Sequence, residues 1–374
     1  MRKPIRILQV IGIMNRGGAE TLIMNLYRNI DRTRVQFDFV VHTGADGMFD
    51  AEIIELGGTI YHCPKYVITN HFYYKRWWNN FLKEHSKDYV AVHGHIGSTA
   101  SIYLSIAKKY GLYTIAHSHS AGKIISVKDI VYKVMSYNTR NVADYFFGCS
   151  ELAGIKRYGI KVVANPKKFS VLNNAIEVNR FVFDKETRSK IRRELSIDDN
   201  QLVIGHIGRF DKAKNQTFLV SIFNEFQKND KNAKLILVGT GENIEFIRTQ
   251  ISDLGIDNNV ILTGVRSDAY DLLQAFDLFV FPSIYEGLPV TVIEAQAAGL
   301  KCLLSDTITN EVDITGLVEY MSLNSPAIEW AKKILDMIPY DRNDTSEKIK
   351  KAGYDIMTTA QQLTDFYLKI QEKK

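Results

Sequence analysis

What most constrains the fold of this chain is an alternation of two hydrophobic periods, and it runs through the sequence twice. In the first half, apolar strand-like runs at residues 5–11, 35–41, 59–61, 89–93 and 113–117 are separated by helix-patterned stretches such as 19–30 and 48–56. In the second half, runs at 202–207, 234–238, 260–262, 278–281 and 301–304 are separated in the same way. Strands that are apolar throughout and joined by helices belong to parallel sheets covered on both faces, because a parallel connection needs a crossover. At 374 residues the chain is too long for one ordinary core and fits two domains of roughly 150–200 residues each. The expected architecture is α/β: two Rossmann-like, doubly wound parallel-sheet domains facing each other across a cleft.

The break falls near the polar stretch Asn173-Asn174-Ala175-Ile176-Glu177, after a short strand at 169–172 and before a charged helix at 185–195. Domain one is expected over residues 1–170 and domain two over 171–353. The last pattern, 354–370, is helical, with Ile356, Ala360, Leu363, Phe366, Tyr367 and Ile370 on one side. Cys63, Cys149 and Cys302 are too few and too scattered for a disulfide framework or a zinc cluster, which points to a reducing cytoplasm. The basic start leads straight into a strand, and no run of about 18 uncharged apolar residues follows, so neither a signal sequence nor a membrane span is expected. Charge is uneven: residues 1–180 carry 24 Lys and Arg against 13 Asp and Glu, and the remainder 23 against 29. A basic first half suits an anionic membrane surface or an acidic acceptor.

The chemistry concentrates between residues 283 and 299. The strand at 278–281 runs into Ser283-Ile284-Tyr285-Glu286-Gly287-Leu288-Pro289, and a helix then ends near Gly299. Glu286 precedes that helix and Glu294 lies about a turn and a half inside it, so both can face the crevice at the carboxyl end of a strand, where open α/β sheets bind ligands. The amides of Gly287, Leu288 and Val290 would be unpaired donors that favour a pyrophosphate, with Pro289 in the first turn. Carboxylates beside an anion accept hydrogen bonds from sugar hydroxyls; they do not hold phosphate. The competing reading is a capped helix whose Glu286 is a solvated acid.

The Glu286-x7-Glu294 pattern, opening on Glu-Gly-Leu-Pro, resembles the signature of the retaining nucleotide-sugar glycosyltransferases of family four, of the capsular and exopolysaccharide type, which have the GT-B fold. That resemblance implies Glu286 on the donor sugar and Glu294 on the ribose. It extends to the connector, where Ala175 stands in place of the usual Gly, and it implies that the helix within 354–374 packs back on domain one.

Other motifs fall in the same order. The loop after the first strand, residues 12–20, lacks the Lys-Ser/Thr of a P-loop and the glycine spacing of a dinucleotide fingerprint, so ATP hydrolysis and NAD binding are unsupported. Its adjacent Gly17 and Gly18 either form a tight turn with positive φ or let the backbone approach an anion. The resemblance includes this Gly-Gly-Ala-Glu loop and implies contact with donor phosphate or acceptor. His93, His95, His117 and His119 end two successive strands. No carboxylate pattern completes a zinc site, and a polar wall on the acceptor side is expected instead. The resemblance puts an active-site histidine here and favours His117, with Lys123 at a matching distance and His119 as the rival. For His93 and His95 a satisfied histidine near the sheet edge reads equally well.

In the second half, Arg209 and Lys214 can converge on one diphosphate, Arg as a planar fork and Lys as a point charge, offsetting charge on a leaving nucleotide. The resemblance carries the same pair at the same spacing, a Gly239-x-Gly241 turn, and a base-binding backbone at Val265 and Arg266. The aromatic, basic stretch 66–82 reads as a helix packing its apolar stripe on the sheet, or as a membrane-interface helix.

The expected function is a retaining hexosyltransferase that moves a hexose or N-acetylhexosamine from a nucleotide diphosphate sugar, UDP first, to a hydroxyl of a growing, lipid-linked glycan. Catalysis would rest on Glu286, Arg209, Lys214 and His117. Donor binding would add Gly17, Gly18, Val265, Arg266, Gly287, Leu288 and Glu294. A covalent route needs two carboxyl groups about 5 Å apart, and Glu294 on the ribose leaves none, so same-face attack is implied. No cofactor and no metal is expected, since cationic side chains take that part and no Asp-x-Asp motif occurs; nucleic acid is not an expected partner. The expected place is the cytoplasm, with peripheral contact at the membrane. A nucleotide-sugar 2-epimerase of the same fold and a non-catalytic nucleotide-binding scaffold are the alternatives.

Overall fold

In the computed structural model, which describes residues 3–15, 17–119 and 134–372, the chain divides into two compact units. Unit one comprises Met1–Ile176 with Gly353–Lys374, and unit two comprises Glu177–Ala352.

Unit one is built on β1 (Ile5–Ile11), β2 (Val35–Val41), β3 (Ile60–His62), β4 (Ala91–Gly94), β5 (Tyr113–Ser118), β6 (Tyr145–Gly148) and β7 (Phe169–Val171). Among the described residues these form one sheet in the order β3-β2-β1-β4-β5-β6-β7, every pair parallel. The order reverses between β1 and β4, which makes the sheet doubly wound. On one face the helices Gly18–Asn29 and Ile356–Glu372 bury Leu22, Ile23, Leu26, Leu363, Tyr367 and Ile370 in a single cluster. On the other, the helices His71–His85 and Ala100–Lys109 bury Tyr74, Trp78, Leu82, Tyr103 and Leu104. Backbone bonds tie the C-terminal segment in, Ile176 N donating to Tyr354 O at 2.8 Å and Ile356 N to Ile176 O at 3.0 Å.

Unit two is built on β8 (Val203–Ile207), β9 (Lys234–Val238), β10 (Val260–Gly264), β11 (Leu278–Phe281), β12 (Cys302–Ser305) and β13 (Val318–Met321), in the order β10-β9-β8-β11-β12-β13, again all parallel. Its switch point lies between β8 and β11. The side chains of Phe210, Leu219, Phe223, Leu235, Leu278 and Trp330 fill the core beneath it; burying each stabilises by roughly 1.5–3 kcal/mol.

Several expectations need correction. Strands β6 and β13 are absent from the sequence pattern; β6 is only four residues, and β13 buries only one residue fully at the sheet edge. His93 lies on β4, which is flanked by β1 and β5, and so is not near the edge. Pro289 precedes the helix Val290–Ala297, with ψ of 106°, and is not in its first turn. The aromatic segment becomes helical only at His71, after the short 3-10 turn Ile68–Asn70. Its Tyr74, Trp78 and Leu82 pack on the sheet, while Phe72 and Tyr73 on the other side are 85% and 61% exposed. Lys123 lies outside the described residues. No described helix is long and apolar enough to cross a membrane.

Candidate active site

At the switch point of unit two, two loops meet at the carboxyl ends of adjacent strands. One follows β8 and carries Arg209 and Lys214; the other follows β11 and carries Glu286. The backbone joins them, since Ile284 N donates to Ala213 O at 2.7 Å and Asn215 Nδ2 donates to Pro282 O at 3.1 Å. Asn215 takes φ of 57°, a left-handed conformation that Asn tolerates, at the start of the helix Gln216–Phe226. Asp211 Oδ1 accepts the amides of Ala213 at 3.0 Å and Lys214 at 3.1 Å, which fixes the first loop.

This arrangement brings Lys214 Nζ to 2.7 Å from Glu286 Oε1, with side chains 20% and 12% exposed. Lys214 Nζ also lies 4.7 Å from the Phe281 ring centroid. Arg209 Nε is 3.5 Å from Asp211 Oδ2, but its side chain is 75% exposed and free to fold over a ligand. The Gly239–Gly241 turn is fitted to the same loop. Phe210 N donates to Thr240 O at 2.9 Å, and a Cβ at Gly239 (φ 131°) would lie 2.1 Å from Gly208 O. Glycine is required there by backbone against backbone. At Gly287 the opposite holds: φ is not positive and nothing lies within 4 Å of where a Cβ would stand, so open space adjoins the helix start. The amides of Gly287 and Leu288 donate no hydrogen bond among the described residues.

Glu294 lies on the helix beyond, half-buried, and its carboxyl makes no hydrogen bond or ion pair among the described residues. Burial pushes its carboxyl up to about 7. Thr291 stands one turn earlier on the same face, and among the described residues neither its buried hydroxyl nor that of Ser283 has a hydrogen-bond partner. Neither residue stands out in the sequence pattern, although the i, i+3 spacing from Glu294 marks Thr291. Val265 is 58% exposed beyond β10, and the Arg266 guanidinium is held by Asp268 and Glu194, each at 2.7 Å.

In unit one, Gly17 caps the helix Gly18–Asn29 with φ of −115°, and neither it nor Gly18 has positive φ. A turn conformation therefore does not demand these glycines, and nothing lies within 4 Å of where a Cβ on Gly18 would be. The four strand-end histidines come together. His93 Nδ1 is 2.7 Å from Tyr367 Oη, His95 Nε2 is 2.8 Å from Gln9 Oε1, and His95 Nδ1 is 2.8 Å from His119 Nε2. His93 and His117 are buried, whereas His95 and His119 are half-buried, so His119 is the more accessible ring of the β5 pair. Burial and the neighbouring imidazoles hold His93, His95 and His117 well below the ordinary histidine range, and burial lowers His119 to about 4.

Unit two thus carries a Lys-Glu loop pair at its switch point and unit one an imidazole cluster at its strand ends, and similarity to known proteins names the class. The family described as glycosyl transferases group 1 matches residues 187–355. The chain belongs to this family and has its GT-B fold of two Rossmann-like domains. A chain of Bacillus subtilis (strain 168) named as glycosyltransferase EpsF is 31% identical over 373 residues, spanning 97% of this chain and 96% of its own. The Escherichia coli UDP-Gal:alpha-D-GlcNAc-diphosphoundecaprenol alpha-1,3-galactosyltransferase is 27% identical over 149 residues, 39% of this chain and 38% of its own. A crystal structure of Anabaena Alr3699/HepE in complex with UDP and glucose matches with a TM-score of 0.71 at 18% identity, over 99% of this chain and 98% of that one.

Proposed function

We propose that this glycosyltransferase moves a hexose or N-acetylhexosamine from a UDP-sugar, with retention, to a hydroxyl of a lipid-linked glycan in cell-surface polysaccharide synthesis. The observation that carries the reading is the meeting of Lys214 with Glu286 at 2.7 Å at the switch point of unit two, on loops that also carry exposed Arg209 and lead into the helix bearing Glu294. A cation already paired with a carboxylate can exchange it for a phosphate, leaving Glu286 to accept sugar hydroxyls. Arg209, Lys214 and the amides of Gly287 and Leu288 would then stabilise the leaving diphosphate, where removing one such group costs about 10²–10³-fold in rate. Glu294 would accept ribose hydroxyls, and the backbone at Val265 and Arg266 would meet the base. Neither a cofactor nor a metal is needed for that step, because the two cations carry the charge.

On the acceptor side, the open backbone at Gly18, the neighbouring Gly17 that packs against the Glu20 side chain, and the imidazoles of His117 and His119 are the proposed wall, with His119 the ring a substrate reaches first. The UDP and glucose bound by HepE and the diphosphoundecaprenol acceptor in the name of the E. coli relative support the choice of donor and acceptor class. Exposed Ile68, Phe72 and Tyr73 beside exposed Lys75 and Arg76 suit a peripheral contact with an anionic membrane from the cytoplasmic side.

The test is transfer itself. The purified chain is incubated with labelled UDP-hexoses and a polyprenyl-diphosphate-linked N-acetylhexosamine, and the product anomer is read by NMR. An α-linked product from an α-linked donor, lost in Glu286→Gln, supports the reading. Epimerised donor without acceptor, or bound donor with no transfer to any hydroxyl acceptor, overturns it.

A further inference from the structure

One group of three His, Cys, Asp or Glu side chains among the described residues has the spacing of a metal site, and it is in unit one. His93, His95 and His117 each offer a ligand atom, all within 4.8 Å of one another. The ring centroids of His93 and His95 are 4.5 Å apart, those of His93 and His117 5.4 Å, and His119 closes the group at 4.0 Å from His117.

Two features distinguish this cluster from ordinary buried histidines. His117 Nδ1, His117 Nε2 and His93 Nε2 are buried with no hydrogen-bond partner among the described residues, a costly state for a polar atom. A cavity of about 10 Å³ lies against them, lined by Gln9, His93, His95, His117, Leu363 and Tyr367 among others, and that is the size of one ion or one water. Second, Tyr367 engages Nδ1 of His93 and Gln9 engages Nε2 of His95, so one nitrogen of each ring is held and the other is left for the cluster. Metal-bound imidazoles are oriented in this way, the second nitrogen donating to an oxygen.

We propose that His93, His95 and His117 hold a divalent transition-metal ion of the zinc class, with His119 Nε2 or a solvent molecule as the fourth ligand. Imidazole nitrogen is a good donor for such ions. Bonds of about 2.0–2.1 Å place tetrahedral ligand atoms roughly 3.4 Å apart, a contraction the side-chain torsions can supply. His95 keeps its Gln9 bond and exchanges the His119 bond for the ion. The cavity lining is otherwise uncharged, so the ion retains a water or hydroxide where His119 does not ligate. The site ties β4 to β5 and, through Gln9 and Tyr367, to β1 and the C-terminal helix.

The test uses the full chain, free of any tag, stripped with a chelator and titrated with Co²⁺ or Zn²⁺. The expected result is one equivalent of Co²⁺ with the visible absorption of four-coordinate cobalt, and a melting midpoint raised by Zn²⁺. Both are lost in His117→Gln and kept in His85→Gln, which alters a histidine outside the cluster. Tyr367→Phe should keep the band and weaken affinity about 10–100-fold. Should His117→Gln fail to fold by circular dichroism, His93→Gln replaces it. A wild-type chain that shows no cobalt band at one equivalent overturns the proposal and leaves water in the cavity; so does a band that persists in the folded His variant.

Discussion

Replacing Glu294 by Gln separates what this carboxyl costs the fold from what it contributes to a ligand. The side chain is half-buried, has no partner among the described residues, and burial raises its pKa from 4.5 to about 7. A raised folded-state value means the native state holds the proton more tightly than the unfolded chain. The stability from this group is thus fully present below about pH 4.5 and is lost as pH rises through about 7. At about 1.36 kcal/mol per pKa unit, the loss by about pH 8 is on the order of 3 kcal/mol. Gln has the same shape and no charge to bury. Its melting midpoint should match wild type near about pH 4.5 and exceed it near about pH 8 by several degrees, at about 2–4 °C per kcal/mol for a domain of this size. The ligand sees the reverse. Hydrogen bonds to a charged group are worth about 1.5–3 kcal/mol, so losing the carboxylate should weaken UDP binding about tenfold or more. Scanning calorimetry across that pH range, with and without UDP, reads both effects. A Gln variant that melts below wild type near about pH 8 without nucleotide, or that binds UDP as wild type does, refutes the reasoning.

Three further expectations follow from the geometry. Lys214→Met leaves Glu286 without its cation and removes charge from the leaving diphosphate, so steady-state assays should show turnover lowered about 10²–10³-fold. Gly239→Ala sets a Cβ 2.1 Å from Gly208 O at φ of 131°, and denaturant unfolding should show unit two destabilised; the strained conformation alone costs about 1–3 kcal/mol. The pKa of His42, like that of His119, is lowered by burial to about 4, so the native state releases protons that the unfolded chain holds. Their contribution to stability is present above the unfolded value of 6.5 and lost as pH falls toward about 4. Chemical shifts of these rings should stay constant from about pH 8 to 5.5 and change only with acid unfolding.

The parallel sheets were legible because β1, β2, β8, β9 and β11 are nearly all buried residues and mostly apolar, β2 keeping its apolar Val35, Phe37, Phe39, Val40 and Val41 around the buried polar Gln36 and Asp38. Strand β13 was illegible for the converse reason, since a half-buried edge strand of Val-Glu-Tyr-Met has neither a continuous apolar run nor a clean alternation. In the candidate site, the Lys214–Glu286 contact follows from adjacency of β8 and β11, which the sequence does not state but a doubly wound order makes natural. The links from Gln9 and Tyr367 to the histidines could not be read at all. They join residues 86 and 274 positions apart, and nothing local in the chain encodes such a meeting.

The most direct measurement of the central claim is a thermal-shift panel of UDP, GDP, ADP and their sugar derivatives on wild type and on Arg209→Ala. Binding to the native state raises the midpoint with the logarithm of ligand concentration over Kd. UDP and UDP-sugars are expected to raise the midpoint, and the shift to be lost or sharply reduced in Arg209→Ala, whose side chain is 75% exposed and pairs with Asp211 at 3.5 Å. A wild-type chain that none of these nucleotides stabilises, in a preparation that unfolds cooperatively, would contradict it.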